Sequence, residues 1–134
     1  MIDENSVRDG MKMKITGMFP AITCKDPETL INFASEKFGF HIAHAPQAII
    51  SEKQSDRANI MKNDDGVRFD IIQFDTDTPL CGMCINVDDF DEALSVFKEA
   101  GYTVAVGPVV VDHAKKALIK KEENIPILLI QHYK

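Results

Sequence analysis

The sequence predicts an α+β fold: two βαβββ modules forming one cupped, mixed sheet, with both helices on its convex side. Two stretches about 62 residues apart predict it. The first is strand-like from Ile15 to Cys24, passes Asp26-Pro27-Glu28, and becomes an apolar-periodic helix ending in Phe38-Gly39-Phe40. The second is strand-like from Cys81 to Val87, passes Asp88-Asp89-Phe90, and becomes a helix ending in Ala100-Gly101-Tyr102. Further strands follow each helix. One such unit buries little apolar surface alone, so two copies must share a sheet and a core. Two curved half-sheets that meet leave a cleft, and function is expected there.

Each element has its own local reason. In the first strand Met18, Pro20, Ile22 and Cys24 alternate onto one face. Asp26 is a good N-cap, and Pro27 at the first helical position wastes no hydrogen bond. Leu30, Ile31, Phe33, Ala34 and Phe38 make the buried stripe, and Gly39 supplies a left-handed stop. Phe40 to Ala45 reads as the second strand, Ala48-Ile49-Ile50 as a continuation, and Arg57 to Met61 as the third. Asn63-Asp64-Asp65-Gly66 is a hairpin turn, from which Val67 to Phe74 returns as the fourth strand. Asp75 to Pro79 links the modules. In the second module Met83, Ile85 and Val87 alternate, Asp89 and Glu92 have capping-box spacing, and Phe90, Ala93, Leu94 and Phe97 form the helix stripe. Thr103 to Val111, Ala114 to Lys120 and Ile125 to Gln131 are the last strands, with Glu122-Glu123-Asn124 turning the final hairpin. The division is a single domain over 1–134, with an extension at 1–12, module one at 13–75 and module two at 80–134. The extension carries a short helix around Ser6 to Met11 and stands outside the functional core.

Composition excludes several function classes. A net charge of −6 leaves no basic surface to neutralise phosphates, so no nucleic-acid partner is expected. No apolar run approaches the ~20 residues of a membrane span, so no membrane partner is expected. The polar start, Met1 to Met11, lacks the apolar centre of a signal peptide, and three cysteines do not make a paired set. The expected location is the cytoplasm.

Arg68 and Asp70 share strand parity, so both side chains point to one face. Two readings stand: Asp70 pairs with a ligand cation and Arg68 with a carboxylate or phosphate, or the two form a structural ion pair. Cys81-Gly-Met-Cys84 has C-x-x-C spacing but lies in a strand, where residues three apart face opposite sides, so core cysteines without a disulfide are expected. His41 and His44 could border the cleft mouth and His132 its rim, or all three could be ordinary surface or core histidines. Ser51 to Arg57 is a charged loop or a flap over the cleft. Lys115-Lys116 and Lys120-Lys121 carry no nucleic-acid signal, and no nucleophile–base pair or phosphate-cradling glycine motif is present.

The segments Asp26-Pro27-Glu28 through Phe33 to Phe38-Gly39-Phe40, and Val87-Asp88-Asp89-Phe90-Asp91-Glu92-Ala93 through Lys98-Glu99-Ala100-Gly101-Tyr102, resemble the vicinal oxygen chelate superfamily. That superfamily covers glyoxalases, bleomycin-resistance proteins and extradiol dioxygenases, and the resemblance runs from about Met13 to Tyr133. It implies paired βαβββ modules around a ligand cavity, often at a homodimer interface. Enzymes of the superfamily usually hold a divalent metal with one ligand from each of four strands. Matched to this sequence, those positions are Phe19, Asp70, Gly82 (Cys81 if the register slips by one) and Leu128. Asp70 alone suits a metal, so no metal site and no cofactor are expected. The resemblance then implies a small-molecule binding protein of the bleomycin-resistance kind, sequestering its ligand in an apolar cleft. Phe19, Ala21, Cys84, Leu128 and Ile130 would wall that cleft, with Arg68 and Asp70 as polar anchors. The alternative is a metal-dependent lyase, isomerase or dioxygenase with a rearranged site built on Asp70 and His44 or a second subunit's histidine.

Overall fold

The computed structural model describes residues 14–48, 56–75 and 80–133. The elements are β1 (Ile15–Cys24), α1 (Pro27–Phe38), β2 (His41–His44), β3 (Ala58–Lys62) and β4 (Arg68–Gln73) in the first half. The second half has β5 (Leu80–Val87), α2 (Phe90–Glu99), β6 (Thr103–Val111), β7 (Ala114–Lys120) and β8 (Ile127–His132). This is the expected order. Arg57 forms only an isolated bridge with Gln47, so the third strand starts at Ala58. The helix expected at Ser6 to Met11, the continuation at Ile49-Ile50, the loop or flap from Ser51 to Ser55 and the linker from Thr76 to Pro79 lie outside the described residues.

Both helices start and stop where local chemistry says they should. Asp26 Oδ1 accepts from the Glu28 N–H at 3.2 Å, and Gly39 ends α1 at φ 72, a left-handed conformation that costs glycine nothing. Asp89 Oδ1 accepts from the Glu92 N–H at 3.2 Å to cap α2. The Phe90 N–H donates to Gln131 Oε1 at 2.7 Å, so β8 completes the cap from another part of the chain.

The strands form one eight-stranded sheet in the order β2-β3-β4-β1-β5-β8-β7-β6. β1 runs parallel to β4 and β5 parallel to β8, while β1 and β5 meet antiparallel at the centre. This is α+β architecture with a mixed sheet, as the sequence predicts. Pro20 pairs with Met83. Ala21 stands beside Asp70 and Cys84 beside Leu128, so these two pairs occupy equivalent places in the two modules. Phe19, two residues before Ala21, therefore corresponds to Gly82, two before Cys84, and Cys81 is not the matched position.

Alternation sorts the side chains onto two faces. On the convex face α1 covers Met61 and Ile71 through Ala34, Leu30 and Ile31. There α2 covers Ile85, Val87, Ala117, Ile119, Ile127 and Leu129 through Phe90 and Ala93. Phe90 is 1% exposed, and burying a ring of that size contributes about 1.5–3 kcal/mol. The concave face carries a separate cluster of Ala21, Ala48, Ala58, Ile72, Cys84, Ala114, Leu128 and Ile130. Among the described residues no helix covers that face, so there the curvature of the sheet and the segment at Gln47 enclose it.

Candidate ligand-binding cleft

The concave cluster surrounds a cavity of about 150 Å³. One wall is β3 and β4, with Ala58, Ile60, Arg68, Asp70 and Ile72; the other is β7 and β8, with Ala114, Lys116, Leu128, Ile130 and His132. The mouth is closed across the sheet. The Gln47 N–H, from the segment after β2, donates to Asp112 Oδ2 at 2.9 Å, so an early loop of module one touches the β6–β7 turn of module two. Asp112 reaches that position because it and His113 form a two-residue hairpin with φ 51 and 58, the left-handed pair that suits strand twist.

Arg68 and Asp70 face each other within one strand. Arg68 Nε donates to Asp70 Oδ1 at 3.0 Å and Nη2 to Oδ2 at 3.1 Å, so both carboxylate oxygens are taken. The side chains are 12% and 3% exposed. The guanidinium also lies over the Phe19 ring, with Cζ 3.8 Å from its centroid. A planar cation held between a carboxylate and an aromatic face uses both properties of arginine. Of the two readings open in the sequence, the ion pair is what forms, and the pair still lines the cavity.

The other expected wall residues separate. Leu128 and Ile130 line the main cavity. Ala21 lines a smaller one of about 50 Å³ with Thr23, Gly82 and Leu118, and Ile72 and Leu128 stand between the two spaces. Phe19 and Cys84 line neither: Phe19 supports Arg68, and Cys84 is fully buried in the concave cluster. Burial first, then the Asp70 carboxylate, pushes the Cys84 thiol up to about 12, so it is an inert protonated thiol at neutral pH. Cys81 is exposed and Cys84 buried, on opposite faces of β5, and neither forms a disulfide. His44 and His132 stand on the cavity wall, while His41 does not.

Sequence reasoning missed Lys116. It lies on the concave face of β7, opposite Ile130, and is 4% exposed. Its neighbour Lys115 points the other way and bonds Asp91 of α2 at 2.8 Å. The available signal was strand parity. Both faces of β7 are apolar around the lysines, Ala114 and Leu118 on one and Ala117 and Ile119 on the other, so each lysine must interrupt a packed face. Burial lowers the Lys116 pKa below its ordinary 10.5, with Asp112 acting in the opposite sense. Burial and the positive charges of Lys116, Arg68 and His44 lower that of His132.

A divalent metal, which the resemblance implies for enzymes, does not fit this site. The four matched positions hold a phenyl ring, a carboxylate paired with arginine on both oxygens, a glycine and an isobutyl group, whereas a metal needs three or more converging N, O or S donors. Among the described residues no group of three or more His, Cys, Asp or Glu could hold a metal ion.

Comparison with known proteins agrees with this architecture. No family model matches the sequence. No curated protein matches it in sequence. Among solved structures, the chain is similar to a variant of methylmalonyl-CoA epimerase from Streptomyces coelicolor in complex with 2-nitronate-propionyl-CoA. There the TM-score is 0.67 and identity 13%, over 90% of this chain and 100% of that one. The epimerase from Mycobacterium tuberculosis gives TM-score 0.67 and 14% identity over 90% of both chains. A glyoxalase I mutant from Zea mays gives 0.65 and 25% identity over 89% of this chain and 44% of that one. Epimerase and glyoxalase I are vicinal oxygen chelate proteins, so the resemblance read from the two helix segments holds in the fold. Among the described residues no helix is long and apolar enough to cross a membrane.

Two outcomes follow from this geometry. Asp70→Asn leaves a half-buried guanidinium without its counter-charge and should cost about 3–5 kcal/mol in urea unfolding. The double change Arg68→Met with Asp70→Leu should cost much less; equal losses would mean the pair is not the unit. Lys116 is faced by Asp112, Arg68, Asp70, His44, His132 and Cys84. Because its folded pKa is lowered, the folded chain binds fewer protons than the unfolded one between that value and 10.5. The cost of burying it is complete below the folded pKa, shrinks as pH rises, and is gone above 10.5. Lys116→Met should therefore raise the thermal midpoint at neutral pH, with an advantage that narrows toward pH 10.5 in melts across that range.

Proposed function

We propose that this chain is a small-molecule binding protein of the bleomycin-resistance kind, which sequesters its ligand in the cleft between its modules without a metal. One observation carries the proposal. The carboxylate at the strand position of a metal ligand, Asp70, is held on both oxygens by Arg68, beside a partly apolar cavity that both modules line. Ligand sites combine apolar walls with a few placed polar groups, and this cavity sets Ala58, Ile60, Ile72, Leu128 and Ile130 beside Lys116 and two histidines. Methylmalonyl-CoA epimerase is seen in complex with methylmalonyl-CoA and NH4+, a precedent for a small organic ligand in this fold.

Purified protein is expected to hold no stoichiometric transition metal by elemental analysis, and its melting point should not move with a chelator. Native mass spectrometry after mild release should show a co-purified or added small molecule. A stoichiometric metal that is lost when Asp70→Ala is made would replace this reading with a metal-dependent lyase, isomerase or dioxygenase.

The proposal extends to a cytoplasmic homodimer. Cys24, Cys81 and Cys84 are all free, which suits a reducing compartment. The sheet ends in two edges, β2 and β6, and Val110 on β6 is 63% exposed. Open edges invite pairing unless covered. Sedimentation equilibrium should give twice the 15.0 kDa chain mass, and a monomer at micromolar concentration would remove the dimer.

A further inference from the structure

We infer that the ligand of the main cavity is a small organic anion, its carboxylate bound by the Lys116 ammonium and its apolar body lying against Ala114, Leu128 and Ile130. The inference rests on the reading of the cleft as a ligand site and adds the ligand's charge and size.

Lys116 is a deep charge of this cavity, beside the Arg68–Asp70 pair. At 4% exposure it has, among the described residues, no hydrogen bond and no ion pair. The other charges near it are committed or peripheral. Arg68 and Asp70 neutralise each other through two hydrogen bonds. Asp112 is exposed at the mouth, where one of its oxygens accepts the Gln47 N–H. His44 and His132 are exposed at the rim and bring no negative charge. An ammonium on a buried residue that feels the Asp112 charge but makes no ion-pair contact is costly to hold, and an incoming carboxylate would supply that contact in a place of low dielectric, where a charge-assisted bond is strongest. A ligand cation would meet Lys116 with the Asp70 carboxylate already paired to Arg68 and that of Asp112 left at the exposed mouth. The cavity therefore favours an anion over the ligand cation that Asp70 alone would suggest.

Size narrows the class. A cavity near 150 Å³ accepts a body about as large as one benzene ring. Behind Lys116 the wall is aliphatic, with Ala114, Leu128 and Ile130 all buried. The ligand class is thus a monocarboxylate on a single ring or a short branched chain.

The test is a panel of ring-sized carboxylic acids, each paired with its neutral amide and its amine, beginning with benzoate, benzamide and benzylamine. Binding is read by chemical-shift titration of the whole chain. The acids should bind at least tenfold tighter than their amides, and the amines weakest. Lys116→Met should bring each acid to the level of its amide while the protein stays folded in a thermal melt, and Lys116→Arg should keep the acid preference. Equal binding of acids and amides, a preference for amines, or an acid preference that survives Lys116→Met would each overturn the inference and leave the cleft a ligand site. If no member of the panel shifts a cleft resonance, the inference and the ligand-site reading both fall.

Discussion

The antiparallel ladder between β1 and β5 is the interaction on which the rest of this molecule depends. Among the described residues, each βαβββ half has a helix for its convex face and none for its concave face. Joining the halves through eight paired positions, Ile15↔Val87 to Thr23↔Leu80, turns two four-stranded sheets into one and brings their bare faces together. Gly82 pairs with Ala21 in that ladder and on its other side lies so close to the chain entering β8 that a Cβ would sit 2.7 Å from the Pro126 carbonyl oxygen. The cleft, its aliphatic walls and the contact from Gln47 to Asp112 are consequences of that ladder.

Where a metal centre would stand, the chain places a closed organic arrangement. Phe19, Arg68 and Asp70 stack ring, guanidinium and carboxylate in sequence, and each satisfies the next. An arginine here does the neutralising that a cation would do, but it presents no open coordination position and cannot polarise a bound oxygen as a Lewis acid would. Burial, and after it the Asp70 carboxylate, leaves the neighbouring Cys84 protonated and inert, with Arg68 acting in the opposite sense. Reactivity is suppressed at this point of the fold, and the cleft's chemical character moves across to β7.

Strand parity decides that shift. Lys115 and Lys116 are adjacent and chemically identical, yet one bonds Asp91 on the helical side and the other enters the cleft. A register slip of one residue would exchange them and turn Ala117 and Ile119 toward the cavity in place of Ala114 and Leu118. The pairing of β7 with β8 over Ala114↔His132 to Ile119↔Ile127 holds that register.

The sequence by itself determined the repeated modules, the helix ends and nearly every strand, because these depend on local signals: Asp26 and Asp89 as caps, Gly39 as a stop, period-two apolar runs. It also placed Arg68 with Asp70 on one face, since two residues apart on a strand admits no other outcome, and it led to Leu128 and Ile130 as cavity wall. It did not reveal that Asp70 is held on both oxygens by Arg68, that Phe19 is a platform beneath the guanidinium, that Ala21 belongs to a second and smaller space, or that Lys116 enters the cleft without an ion-pair contact among the described residues. Those are facts about which strand lies beside which and how far the sheet curves. Burial and charge pairing are sums over residues distant in the chain, and only the closed sheet brings them within reach of one another.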